Sequence, residues 1–135
     1  MEEMTLEALI PNIQTVITWI DGKLEELGCP MKAQMQIDVA LDEMLSNIAM
    51  YAYPEGQPGT FTVRFACEDG VAVMTLLDSG VPYNPLEKED PDITLSAEER
   101  KAGGLGIFLV KKTMDAMEYA YADGLNQLTL RKKIG

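Results

Sequence analysis

The sequence predicts an α+β fold, a two-layer sandwich in which helices cover one face of a sheet. Three patterns carry that expectation. Apolar residues recur at helical spacing over two long N-terminal stretches; two later stretches alternate apolar and polar residues and fold back on Asp-Gly pairs; a third helical stretch separates the two hairpins. Helices that are not interleaved one for one with strands argue against a doubly wound parallel sheet.

The first helix is expected over residues 6–27, where Leu6, Leu9, Ile10, Ile13, Val16, Ile17, Ile20, Leu24 and Leu27 share the period, with an interruption near Pro11 and a stop at Gly28. After Cys29 and Pro30, the residues Ile37, Leu41, Met44, Leu45, Ile48 and Ala52 mark the buried stripe of a second helix over 31–53, ended by the Pro- and Gly-rich run 54–59. Phe61, Val63, Phe65 and Cys67 alternate with Thr62, Arg64 and Ala66, and the turn at Asp69 and Gly70 leads into residues 71–78, giving a hairpin. Residues 79–102 break every period and hold Pro82, Pro85, Pro91, a cluster of acids and a short helical stretch at 96–101. A segment of that length without its own core is either disordered or a working loop. Helical spacing resumes over 103–117, and residues 118–122 and 126–132 flank Asp123 and Gly124 as a second hairpin.

Composition narrows the function. The 135 residues, 47% hydrophobic and 24% charged, make one domain, 1–135, of ordinary globular character. Eleven Lys and Arg against 22 Asp and Glu leave a net charge of −11, a field that repels nucleic acid and anionic membrane surfaces. No histidine is present, which removes Ser-His-Asp and Cys-His nucleophile pairs, His-ligated zinc and a phospho-accepting histidine. Cys29 and Cys67 form no CxxC pair. An acidic start and short apolar runs point to the cytoplasm.

Three local features carry chemistry. Glu43 and Asn47, at i and i+4, share a helix face beside the apolar stripe. Asp78 ends a strand on the face of Ala72, Met74 and Leu76, where a buried carboxylate needs a donor, and an amino group on a flat ligand would serve; Gly80 comes two residues later. Gly103, Gly104, Leu105 and Gly106 open an apolar helix whose free N–H groups favour an anion such as phosphate. Neither a Walker A loop nor a Rossmann fingerprint is present. Taken singly, these also read as a surface hydrogen bond, a hairpin-ending turn and a hinge with a helix cap.

Their joint order is more specific. The stretch from Ala40 to Ala49 with Tyr51, Ala52 and Tyr53, the run Leu77 to Pro85, the run Gly103 to Val110 and the last strand from Asn126 to Lys132 together resemble the small GHKL ATPases of the anti-sigma-factor serine/threonine kinase type, from about Leu6 to the C-terminus. The resemblance implies the Bergerat fold, with a mixed, mostly antiparallel sheet and residues 81–102 as a lid over bound ATP. It also implies that Asn47 ligates Mg²⁺, that Asp78 accepts the adenine amino group, that Gly80 leaves room beside the base, and that Gly103, Gly104, Leu105 and Gly106 approach the phosphates. Glu43 is similar to the family's general base, taking a proton from a serine or threonine hydroxyl on a small antagonist protein. A sigma factor held by the kinase, and a homodimer, complete the implied partners. The alternative is a non-catalytic, nucleotide-gated module acting by stoichiometric capture.

Tyr51 stands where many members of the superfamily carry a histidine. Lys88, Arg100 and Lys101 on the lid are cations within reach of a γ-phosphate or a solvated surface. Thr129 matches a recurrent final-strand threonine near adenine, with its face undecided. Trp19 and the methionines, among them Met31, Met35, Met44, Met50, Met74, Met114 and Met117, read as core.

Overall fold

The computed structural model describes residues 2–54, 56, 59–87 and 104–135. Strand β1, Glu2–Glu7, opens the chain, followed by helices α1, Ile10–Glu26, and α2, Met31–Asn47. A π-helical turn, Ile48–Ala52, prolongs α2. The hairpin β2, Thr60–Glu68, and β3, Val71–Asp78, precedes a single 3-10 turn at Pro85–Glu87; helix α3, Gly104–Thr113, leads into the hairpin β4, Ala116–Ala122, and β5, Leu125–Lys133.

The strands form one sheet in the order β1-β2-β3-β5-β4. Every pairing among the described residues is antiparallel, in keeping with the mostly antiparallel sheet that the resemblance implies. Both hairpins turn on Asp-Gly: Asp69 and Gly70 have φ of 49° and 78°, Asp123 and Gly124 of 56° and 76°. Two consecutive positive φ values match the strand twist, and Asp and Gly tolerate them.

Strand β1 replaces the expected first turn of helix one. Met4 and Leu6 alternate inward against the core while Glu3, Thr5 and Glu7 point out, paired with β2 from Glu2 opposite Phe65 to Glu7 opposite Thr60. Pro11 does not interrupt a helix but sits in the first turn of one, where its missing N–H costs nothing. The helix α1 ends as expected at Gly28, with φ of 72°: the Cys29 N–H reaches the Leu24 carbonyl at 3.0 Å and the Gly28 N–H the Glu25 carbonyl at 3.1 Å, the paired bonds of a Schellman cap.

One face of the sheet, through Phe61, Val63, Met74, Leu76 and Leu130, buries itself against Ile20, Leu24, Ile37, Leu41 and Leu45 of the helices. Trp19 is half-buried against this core, with the Lys23 ammonium 4.9 Å from its ring centre. Met44, Met74 and Met114 are core, but Met31, Met35 and Met50 are exposed, which corrects the reading of those three. Met31 and Met35 share a face of α2 with Val39, and the three line a shallow groove with Leu109 of α3. No helix among the described residues is long and apolar enough to cross a membrane.

Candidate functional site

A cavity of about 690 Å³ opens between the helix layer and the end of the sheet. Helix α2 contributes Glu43 and Asn47 one turn apart, as their spacing requires, and β3 contributes Asp78 from its last position. Two elements distant in the chain, α2 and β3, therefore bring these three residues to one space.

The π turn shapes the wall. A π segment inserts an extra residue into the helix and re-aims the side chains beyond it. The Ala52 carbonyl accepts the Val81 N–H at 2.9 Å, and a Cβ on Gly80 would lie 2.3 Å from that same oxygen. Only glycine permits the chain leaving β3 to press this closely on the π turn. Tyr53 locks the adjoining loop: its hydroxyl donates to the Thr60 carbonyl and accepts the Ser79 N–H at 3.0 Å, while its ring occupies the space a Cβ on Gly59 would need. Tyr51 is exposed on the cavity rim.

Gly106 lies in the first turn of α3, and a Cβ there would fall 2.3 Å from the Glu43 carboxyl carbon. The glycine thus makes the space that the carboxylate fills. Gly104 is the first residue of α3 and Leu105 the second. Gly103, Lys88, Arg100, Lys101, the 96–101 stretch and the lid from 88 onward lie outside the described residues.

Asp78 is 6% exposed. Its Oδ1 accepts the Gly80 N–H at 2.9 Å and the Asn126 Nδ2 at 2.9 Å. Burial pushes the carboxyl above its ordinary range, against the pull of those two donors. The sequence pattern alone gives Asn126 no role. Register makes it visible: Asp78 pairs across the ladder with Asn126, so the two share a face at the cavity end of neighbouring strands. Thr129 lies on the opposite face from Leu128 and Leu130, paired with Thr75 and Glu118, and so points away from the cavity that Asn126 and Leu128 line.

The donor set fits a nucleotide. Asp78 lines the cavity with a carboxylate and Asn47 lines it one helical turn beyond Glu43, the buried Nδ2 of Asn47 having no hydrogen-bond partner among the described residues. No group of three or more acids and cysteines among the described residues could hold a metal alone. One amide oxygen supplemented by phosphates and water is the donor set Mg²⁺ accepts. The profile of the histidine kinase-like ATPase domain matches residues 6–132.

The chain belongs to the histidine kinase-like ATPase family.

This ATPase domain is 27% identical over 99 residues to the serine/threonine-protein kinase BtrW of Bordetella bronchiseptica, covering 73% of the chain and 70% of the relative. It is 27% identical over 131 residues to the serine-protein kinase RsbW of Bacillus mycoides, covering 93% and 81%. A crystal structure of the RsbU and RsbW domains of a Mycobacterium tuberculosis protein superimposes with a TM-score of 0.65 at 15% identity over 99% of the chain, which spans 33% of that protein's chain. The likeness to anti-sigma-factor kinases read from the motifs stands on these relatives, and the histidine kinase-like domain implies ATP as the nucleotide.

Proposed function

We propose that this domain binds Mg-ATP in the cavity and transfers the γ-phosphate to a serine or threonine hydroxyl of a small antagonist protein, thereby controlling a partner such as a sigma factor. The observation that carries the reading is the convergence of Glu43, Asn47 and Asp78 on one cavity, with Gly106 of α3 against Glu43. Relatives named serine kinases support the same reading.

In this reading Asp78 accepts the adenine amino group, Gly80 allows the base to lie against the π turn, and the start of α3, from Gly104 through Leu105 to Gly106 with Gly103 before it, presents N–H groups to the phosphates. Asn47 would hold Mg²⁺ through its side-chain oxygen together with the phosphates, and the ion would supply charge neutralisation to the transferred group. Glu43 takes the proton of the acceptor hydroxyl as its oxygen bonds to the γ-phosphorus and the bond to ADP breaks. A carboxylate fills this role in a chain without histidine. Cytoplasmic location, one domain over 1–135 with a lid at 81–102, and pairing as a homodimer belong to the same proposal.

Glu43 beside the start of α3 favours catalysis over stoichiometric capture, since a module that only binds nucleotide has no use for a base at that place. Calorimetric titration of Mg-ATP into the wild type and Asp78→Asn tests the pocket, with binding expected for the first alone. Glu43→Ala should retain binding and lose phosphotransfer; transfer at the wild-type rate would remove Glu43 from the mechanism.

A further inference from the structure

We infer that Asn126 is the positioning residue that holds the Asp78 carboxylate as a one-sided acceptor, and that through it the site prefers adenine to guanine. The inference rests on the nucleotide-binding reading above and adds to it the residue on which purine choice depends.

A carboxamide has two N–H donors and two acceptor positions on its oxygen. Asn126, 6% exposed, uses all four. Its Nδ2 donates to Asp78 Oδ1 at 2.9 Å and to the Val81 carbonyl at 3.0 Å; its Oδ1 accepts the Tyr83 N–H at 3.1 Å and the Tyr119 hydroxyl. Exchanging its oxygen and nitrogen would set Nδ2 against two donors and Oδ1 against two acceptors. The amide is therefore fixed in one orientation, and it ties together the end of β3, the chain after Gly80 and strand β4.

Asp78 inherits that fixity. Oδ1 already receives two donors, from Asn126 and from the Gly80 N–H at 2.9 Å, which leaves Oδ2 for the cavity. Hydrogen bonds given to Oδ1 favour the ionised carboxylate over an acid carrying its proton on Oδ2, and Oδ2 of a carboxylate accepts rather than donates. Adenine presents an amino group at the position where guanine presents a carbonyl oxygen. A fixed acceptor binds the first and repels the second, whereas a carboxyl free to rotate or to take a proton could donate to the guanine oxygen. Purine choice then depends on what holds Asp78, and Asn126 is the side chain that does so. The titratable groups around this cluster are Tyr83 after the β3 end, Tyr119 and Tyr121 on β4, Glu87 on the 3-10 turn, and Glu43 and Tyr51 across the cavity.

The test is calorimetric titration of Mg-ATP and Mg-GTP into the wild type, Asn126→Asp and Tyr119→Phe, from roughly pH 5.5 to 8.5. Asn126→Asp keeps the shape but sets a second carboxyl against Asp78 Oδ1, and the two will share one proton. The expected result is a fall of about tenfold or more in the ATP-to-GTP affinity ratio. In Asn126→Asp, ATP affinity should also decline as pH rises and the shared proton leaves two like charges, while the wild type holds level. Tyr119→Phe removes one donor to the amide oxygen without touching Asp78, and should lower the ratio less, which keeps the test open if the Asp variant does not fold. Equal weakening of both purines, with the wild-type ratio and pH profile retained, means that Asn126 only packs and overturns the inference while the kinase reading stands. A wild type that binds neither purine overturns both.

Discussion

The Glu43 carboxyl occupies the space into which any side chain on Gly106 would project, since a Cβ there would stand 2.3 Å from its carboxyl carbon. Helices α2 and α3 therefore meet at this point through a carboxylate and a bare backbone. An acid on α2 is brought beside the first turn of α3, where a helix leaves its N–H groups without intrahelical partners. In the kinase reading that is where base and phosphate must lie close together.

Gly106→Ala should accordingly separate binding from chemistry. The group displaced is the far end of a glutamate side chain and not backbone, so the fold should survive with only a modest change in melting temperature. Phosphotransfer should fall on the order of a hundredfold, the usual penalty for misplacing a general base by about an ångström. Mg-ATP affinity by calorimetry and the rate of label transfer to an acceptor protein check the two halves. A transfer rate within a factor of two of wild type would show that the close approach has no catalytic meaning.

Gly80→Ala is the opposite case. Its added Cβ would meet the Ala52 carbonyl oxygen at 2.3 Å, and that atom is backbone held by the Val81 N–H. Relief requires the π turn to move, so a loss of about 2 to 3 kcal/mol is expected in urea unfolding, together with weaker nucleotide binding. Unchanged stability would mean that the π turn yields freely.

The elements that could be read from the sequence are those whose signal is local. Asp69 with Gly70 and Asp123 with Gly124 announce their hairpins because the turn type demands positive φ. Glu43 and Asn47 are legible as a pair because i, i+4 fixes a face whatever surrounds the helix. The misread elements depend on partners distant in the chain. Leu6 suits both a helical period and a strand, and only β2 lying alongside decides for the strand. Met31 and Met35 fit the amphipathic period of α2, yet α3 covers too little of that face to bury them. Asn126 needed the register of β3 on β5: each strand shows its own alternation, but neither shows that Asp78 and Asn126 stand opposite.

Asn47→Ala tests the metal reading without a kinase assay. The buried Nδ2 has no hydrogen-bond partner among the described residues, and such a group costs about 1 to 3 kcal/mol. Removing it should leave the nucleotide-free fold no less stable than wild type. The gain in ATP affinity that Mg²⁺ gives the wild type should vanish, so titrations with Mg²⁺ and with a chelator should coincide. A persistent Mg²⁺ dependence would assign the ion to other ligands.

Asp38 makes stability depend on pH away from the cavity. Between α1 and α2 it meets Asp21, and one oxygen of each carboxyl is buried without a hydrogen-bond partner among the described residues. Burial first, then the neighbouring Asp21 and Glu25, push the Asp38 carboxyl up to about 8. A folded-state value raised above the unfolded one means that the contribution is fully present below about pH 4 and is lost as pH rises through about 8. The chain should therefore lose stability across that window. Asp38→Asn, which keeps the shape and removes the charge, should flatten the profile and be the more stable form at alkaline pH, by on the order of 1 to 2 kcal/mol once solvent screening of a partly exposed pair is allowed for. Urea midpoints of both proteins at roughly pH 5 and 8.5 measure the difference. Parallel profiles would show that Asp38 ionises at its ordinary value and that α1 and α2 meet without strain between the two acids.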